Sequence, residues 1–418
     1  MNKHYDIIVT GGGFAGVGAA IAAGRLGKKV LLIEKFNCLG GAACYDLVNP
    51  FMPYWTKTDN GKKQLSCGIF SEIISNLKEN GGMDDSSQRF NEEILKIVLN
   101  RMVCESGVEL LFNTSVISAK TEKGKINSVT VNGISGNEVI EADYFIDCTG
   151  DANLAFMSGF PFSLGRPSDN LCQPMTLCFR LGNVNKQKFE EEVEAINPLY
   201  KKLAAQGRFR NPREDVLLFR TLLDSVVHFN TTRVVKYNPT DIWEVTKVEI
   251  EAREQVMEMV DFLKSNFSCF SESQLISTGI QTGARESRMI DGLYTLGQEE
   301  MVACTKYKDG IAACNYDIDI HSPDGSGTSH YYFPAGCYYT IPYRCLVPKN
   351  SKNLLVAGRC VSATHEGQAS LRIMPVCCNL GEAAGVAASV AVNSQKNVAE
   401  VDTDEIRSIL KENDAVID

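Results

Sequence analysis

Five glycines, Gly11, Gly12, Gly13, Gly16 and Gly18, separate a short apolar run (5–10) from an Ala-rich stretch (15–26) that is apolar on most faces. A second apolar run (29–34) follows Gly27. Short apolar runs bounded by turn residues suit buried parallel strands, and two of them flanking a helix make a β-α-β unit. Gly11-Gly12-Gly13-Phe14-Ala15-Gly16 matches G-x-G-x-x-G in the one setting that gives the pattern meaning. Gly11 permits the tight strand-to-helix turn, Gly13 lets a pyrophosphate approach the backbone, and Gly16 lets helix and strand pack closely. The pyrophosphate would rest on the helix N-terminus, where free N–H groups and the helix dipole favour anions. Glu34 ends the second strand, where a carboxylate accepts hydrogen bonds from ribose hydroxyls and repels a 2′-phosphate. This fingerprint predicts a bound dinucleotide without choosing between NAD and FAD.

The rest of the chain reads as one nucleotide-binding unit interrupted by a second region. An amphipathic helix is expected over 89–106 and a strand over 108–112. Alternating residues over 116–140, with turns at Lys123-Gly124-Lys125 and Asn132-Gly133, suggest a small antiparallel meander, and 142–148 reads as a buried strand. From about 165 the character changes, with a strand-like stretch at 175–181 and helical stretches at 185–206 and 240–266. A short apolar strand returns at 353–357, and an Ala/Gly-rich helix opened by Pro375 spans 375–392. The expected fold is α/β: a discontinuous dinucleotide-binding domain (1–165 and 341–418), with a parallel sheet and a small meander, interrupted by an α+β substrate or cap domain (166–340).

Bulk properties narrow the function classes. With 42 Lys+Arg against 51 Asp+Glu the net charge is −9, which offers no general attraction to phosphate backbones, so no nucleic-acid partner is expected. The 418 residues are 44% hydrophobic and 22% charged, the balance of a globular chain with ample core. The apolar stretches look too short to span a bilayer, and no membrane association is expected. Residues 1–6 run straight into an apolar strand without a hydrophobic leader. Fifteen scattered cysteines then read as free thiols in a reducing cytoplasm.

Two later segments choose the cofactor. Asp147-Cys148-Thr149-Gly150-Asp151 closes a strand after the meander, and 353–359, ending in Gly358-Arg359, closes another just before the last helix. Together with Gly11–Gly16, Glu34, Leu39-Gly40-Gly41, the run Gly283-Ala284-Arg285-Glu286-Ser287-Arg288 and the stretch 355–385, they make the chain resemble the FAD-dependent oxidoreductases of the glutathione-reductase-like flavoprotein superfamily. The closer likeness is to a bacterial family near the fumarate-reductase and heterodisulfide-reductase flavoproteins. That resemblance implies non-covalent FAD and assigns its contacts. Gly11, Gly13, Gly16 and Glu34 would hold the ADP half, with Phe14, Ala15 and Lys35 in the same turns. Gly40 and Gly41 would pass beside the ribityl and flavin, Thr149, Gly150 and Asp151 would line the adenine side, and Gly358 and Arg359 would face the ribityl chain or pyrophosphate. Met374 and Pro375, after Arg372, would approach the flavin pyrimidine edge, where a helix N-terminus stabilises negative charge on the reduced ring.

A flavin performs hydride transfer itself, so the protein must supply a pocket, a proton donor or acceptor, and charge. Arg285 and Arg288 are the candidates for substrate charge, although an Arg–Glu network holding the middle region in place would use the same residues. His365, expected in a loop over the flavin, is the first choice for acid–base work because histidine titrates near neutrality; a hydrogen bond to backbone or to FAD is the plainer alternative. Asp317, Asp319 and His321 would share one strand face, but no further convergent ligand is visible and no metal is expected. Cys38 and Cys44 straddle the Gly40-Gly41 turn with five residues between them, a departure from the C-x-x-x-x-C of flavin-linked disulfide reductases. A second G-x-G-x-x-G is lacking, so electrons must pass through the substrate face, a protein partner or oxygen. The expected activity is hydride transfer between a small organic substrate and flavin N5. An electron-transfer or thiol–disulfide subunit working with a protein partner, and a non-catalytic flavin-binding module, are the alternatives.

Overall fold

The structure, a computed structural model, describes residues 3–418; Met1 and Asn2, the start of the segment expected to lack a leader, lie outside it. Strand β1 (Lys3–Thr10) is the centre of a seven-stranded sheet. It leads through the glycine turn into helix α1 (Phe14–Arg25) and back to β2 (Val30–Ile33), which runs parallel to it. Strand β3 (Glu109–Leu111) continues the parallel order beyond β2. Strands β4 (Ser115–Glu122), β5 (Lys125–Gly133) and β6 (Gly136–Asp147) form the meander. The expected third meander strand and the buried strand after it are one element: β6 pairs antiparallel with β5 over 136–141, and its buried end runs parallel to β1 and to β7 (Leu354–Val356). A twelve-residue strand serves both because its first half needs only one apolar face, whereas its second is buried on both.

The sheet's two faces sort by the period of two. Ile7, Val9, Val30, Leu32 and Ile146 join one hydrophobic cluster, while Ile8, Leu31, Ile33, Phe145 and Val356 join another. Against the first face lie α1 and α2 (Met374–Ser394), packed closely enough that glycine is required. A Cβ on Gly381 would stand 1.9 Å from the carbonyl oxygen of Ala15, one on Gly385 2.2 Å from that of Ala19, and one on Gly18 2.4 Å from that of Cys378. Helix α2 overturns the expectation that no stretch is long enough for a bilayer. It has 21 residues and a mean hydropathy of 1.4, but 89% of its apolar window is buried inside the fold. It is apolar on all sides because it is enclosed on all sides.

A separate core lies in the middle region. Strands Phe179–Gly182, Val227–Phe229 and Gln274–Thr278 carry the two helices Lys186–Ala204 and Ile242–Asn266, and their apolar faces close on Phe179, Phe229, Tyr200, Met259 and Phe270. The strand-like stretch at 175–181 is divided into Met175–Thr176, which pairs with Gly283–Ala284, and Phe179–Gly182. The packing does not follow the expected division at 340/341. Leu296, Met301, Ile311, Cys314, Ile318 and Tyr339 belong to the cluster of α1 and α2, so the apolar residues of the second core come from 175–270. The sequence hides this because the strands Gly310–Cys314 and Tyr339–Pro342 pair with each other and carry no signal of which core they cover.

Candidate functional site

A deep cleft opens along the C-terminal ends of β1, β2 and β6, where open parallel sheets present ligands to helix N-termini. Its floor is the glycine turn. Gly11 adopts φ +93°, and a Cβ there would stand 2.5 Å from the carbonyl oxygen of Cys148; a Cβ on Gly16 would lie 1.8 Å from Gly11's own oxygen. Both glycines therefore close the turn on itself, and Gly16 does not line the cleft. Gly13 is different. A Cβ on it would meet nothing nearer than 3.7 Å, and it would project toward Gly41 across the cleft. The two backbones face each other there, because a Cβ on Gly41 would come within 2.8 Å of Gly13 Cα. Neither α1 nor α2 has a side chain capping its first N–H groups, and Phe14, Ala15, Met374 and Cys377 from their first turns line the cleft.

Glu34 is buried at the end of β2, its oxygens accepting from Gly12 N at 2.5 Å and Phe36 N at 2.8 Å. Those bonds fix the carboxylate while it still lines the cleft beside Lys35. Asp147, fully buried, shapes the next turn: it accepts from Thr149 N, Thr149 Oγ1 and Ala155 N. Thr149, Gly150 and Asp151 line the cleft as a result, with Gly358 and Arg359 opposite. Arg359 donates to Asp151 at 2.6 Å, and Ser287 Oγ donates to the same carboxylate at 2.7 Å. Burial opposes ionisation of Asp151, but Arg359 and Ser287 outweigh it and hold the carboxyl below its usual range. Of the sixteen expected cofactor residues, Gly16 and Pro375 lie behind the wall as packing residues. The other fourteen line one cleft.

The expected chemistry residues separate. His365 does not line the cleft. It opens the short helix His365–Leu371 rather than lying in a loop, is buried, and pairs through Nδ1 with Glu286 at 2.8 Å. Glu286, completely buried, accepts from Gln173 N with its other oxygen. Arg288 binds Asp151 O and Asn153 Oδ1 and stacks on Phe156, with its guanidinium 4.2 Å from the ring centre. Glu286, Ser287 and Arg288 thus tie the segment after Gly283–Ala284 to the helix His365–Leu371 and to the cleft wall, with no Arg–Glu ion pair at Glu286 among the described residues. Arg285 points elsewhere, donating to Pro174 O at 2.8 Å and Thr176 Oγ1 at 2.7 Å within an interior group of charges. Asp319 and His321 share a strand face and approach to 3.3 Å. The convergent partner unseen in the sequence is His330, paired with Asp319 across the hairpin, and the ligand atoms of Asp317, Asp319 and His330 lie within 4.8 Å of one another. They are held by ion pairs to His330 of 2.6 and 3.7 Å.

Asp46 is a cleft residue that no sequence pattern marks. It is buried beside Gly41 and Tyr45, accepts from Gln281 Nε2 at 2.9 Å, and faces the mouth formed with Arg372 and Met374. Burial raises its pKa to about 6, although the Gln281 hydrogen bond and the charges of Arg359 and Lys35 pull the other way. Its short side chain is ordinary in sequence; only the fold encloses it.

The cleft fits a dinucleotide on two independent grounds. Gly13 and Gly41 bring bare backbone to the cleft, where a Cβ on Gly41 would meet Gly13, and two buried guanidinium nitrogens on its wall, Arg359 Nε and Arg372 Nε, have no partner among the described residues. The FAD dependent oxidoreductase family matches residues 6–410. The digeranylgeranylglycerophospholipid reductase of Sulfolobus acidocaldarius is 25% identical over 199 residues, covering 45% of this chain and 43% of that protein. The mitochondrial dihydrolipoyl dehydrogenase of Schizosaccharomyces pombe is 28% identical over 162 residues, covering 36% of this chain and 29% of that protein. The chain thus spans less than half the length of these curated relatives. Among solved structures, the L-proline dehydrogenase from P. horikoshii is similar with a TM-score of 0.48 at 11% identity, over 98% of both chains. With the match running almost from end to end, the chain belongs to the FAD dependent oxidoreductase family.

Proposed function

We propose that the protein is an FAD-dependent oxidoreductase acting on a small organic molecule admitted between the middle region and the Gly41–Asp46 wall. The observation that carries this reading is Asp46, a buried carboxyl that lines the cleft beside Gly41 and is held by Gln281, its pKa raised to about 6 by burial. FAD bound in the cleft would supply hydride transfer at the flavin ring. The residues around it do the rest. Uncapped N–H groups at the start of α1 would hold the pyrophosphate, Glu34 would accept from ribose hydroxyls, and the uncapped N-terminus of α2 would favour negative charge on the reduced ring. Asp46 holds or releases the substrate proton, a role its geometry suits better than that of His365, which is sealed behind Glu286. Gln281 fixes the orientation of Asp46 from the middle region. The closer kinship with bacterial flavoproteins of the fumarate-reductase and heterodisulfide-reductase type belongs to this proposal, on the strength of segments 147–151 and 355–385. So does a reducing compartment, which fifteen unpaired thiols support.

The test is anaerobic reduction of the FAD-loaded protein by candidate metabolites, followed across pH. If Asp46 accepts the proton, the rate of flavin reduction rises about tenfold per pH unit below a midpoint near 6 and then levels off. In Asp46→Asn that pH step disappears and the plateau rate falls by about 10² or more, while FAD stays bound. A variant that keeps the step removes Asp46 from the chemistry. A protein that binds no FAD removes the whole reading.

A further inference from the structure

Beyond the cleft mouth, where Arg372 reaches in from the start of α2, three more arginines converge from the middle region: Arg213, Arg233 and Arg285. Their company is unusual for a protein interior. Burial and the like charges of Arg372, Arg213 and Arg233 bring Arg285 down to about 9. The carboxylates that face them are Asp319, Glu214 and the half-exposed Asp215. Asp319 lies 3.4 Å from Arg372, Glu214 lies 3.0 Å from Arg233, and Asp215 touches Arg213 only at 3.4 Å. Burial opposes ionisation of Asp319, but His321, Arg372 and Arg285 hold it well below the usual carboxylate range, so it is charged. His321 adds no positive charge, because burial and Arg285 keep it neutral. Arg372, Arg233 and Arg213 each pair with one of these carboxylates, while Arg285 donates to the neutral oxygens Pro174 O and Thr176 Oγ1.

The unmet hydrogen-bonding capacity has an address. Arg233 directs both Nη1 and Nη2 to partners: Gly325 O, Gly327 O and Glu214 for the first, His321 and Thr328 for the second. Arg213 does not: it is 6% exposed, and its buried Nη1 has no partner among the described residues. Arg372 Nε is likewise buried and unpartnered. An enclosed guanidinium N–H without an acceptor costs free energy that a native fold keeps only where something else completes the bond. We infer that Arg213, Arg285 and Arg372 form a substrate anion site, and that the ligand it takes is a small carboxylate. A planar carboxylate matches guanidinium forks and supplies the charged acceptor that the unpartnered N–H groups lack. This rests on the proposed function above and names the substrate class of the same site.

The test uses the FAD-loaded protein, whose flavin spectrum first establishes that the cofactor is present; its absence would sink the reading above, not this one. Thermal melts and flavin difference spectra are then recorded with acetate, oxalate, succinate and benzoate, with acetamide and benzamide, and with inorganic phosphate. At least one carboxylate raises the melting temperature and perturbs the flavin spectrum at millimolar concentration or below, and its amide binds at least tenfold more weakly. Arg213→Gln loses that carboxylate response at least tenfold with FAD affinity unchanged. Because it removes a buried guanidinium N–H that has no acceptor, it melts no lower than wild type without ligand, and Arg213→Lys recovers part of the response. The inference is overturned if no carboxylate in the series binds, if amides or phosphate bind as well as carboxylates, or if the Arg213 variants keep the response. It is also overturned if they lose FAD in parallel, which would assign the arginines to the cofactor.

Discussion

Gly13 and Gly16 differ by three positions and occur in one motif, yet they do separable work. At Gly13 a methyl group would enter open cleft, with ordinary backbone angles (φ −70°) and no heavy atom within 3.7 Å. At Gly16 it would stand 1.8 Å from Gly11 O, inside the turn. Gly13→Ala therefore folds with a ligand-free melting temperature within about 1 °C of wild type and binds FAD at least tenfold more weakly. Gly16→Ala loses about 3 kcal/mol of stability before any ligand is considered. Urea melts paired with FAD titration check both arms, and equal loss of stability in the two variants would refute the separation. The motif was legible because G-x-G-x-x-G compresses these roles into adjacent letters. Asp46 and Arg213 were not legible, since an aspartate after Tyr45 and an arginine after Pro212 carry no periodic signal. Their meaning comes from what encloses them: Gln281 for one, and the absent acceptor at Nη1 for the other. His365 misled for the opposite reason. Its position between the strand β7 and helix α2 is as expected, but the side chain turns inward to Glu286.

Elements are fixed by what they must fit against. The α1–α2 contact depends on Gly18, Gly381 and Gly385, whose missing side chains let the two backbones touch; the sequence shows an Ala/Gly-rich helix but not its partner. Helix α2 also carries Glu382 into the core, where one oxygen accepts from Ile69 N at the start of the helix Ile69–Glu79 and the other has no partner among the described residues. Burial, reinforced by Glu72 and only partly relieved by the Ile69 bond, raises this carboxyl from 4.5 to about 7. The sign follows from linkage. Below pH 4.5 both folded and unfolded states hold the proton, and the group costs nothing. As pH rises from 4.5 to 7 the unfolded chain ionises first, so stability falls by up to about 3 kcal/mol and then levels off. Glu382→Gln, which keeps an acceptor for Ile69, should flatten that segment of the stability–pH curve and leave the protein more stable than wild type at pH 8. Parallel curves for the two proteins would show that Glu382 ionises in the fold at its ordinary value.

At the scale of the whole molecule, the two apolar clusters of the sheet and the separate core of the middle region meet along a seam that carries polar contacts. Glu92, at the start of the helix Glu92–Glu105, forms a two-point ion pair with Arg180 on the second core's strand, and both side chains are largely buried. Gln281 to Asp46 and Ile280 N to Tyr45 O add two hydrogen bonds along the same seam. Little of this seam can be read from sequence, because each bond joins residues 88 to 235 positions apart. A buried pair is expensive to break from one side, since the survivor is left charged and unpaired, at about 3–5 kcal/mol. Arg180→Met therefore weakens the coupling between the cores more than it damages either core. The second core closes on its own residues between 175 and 270, so it can melt separately once released. Wild type should unfold in one calorimetric transition that FAD raises as a whole. Arg180→Met should show two, and only the upper one should move with FAD, because ligand stabilises the unit that holds the cleft. Replacing both partners, as Glu92→Met with Arg180→Met, removes the stranded charge and should bring the transitions back together. A single transition in Arg180→Met, shifted down yet still fully responsive to FAD, would mean that the remaining seam contacts suffice and that the two cores unfold as one.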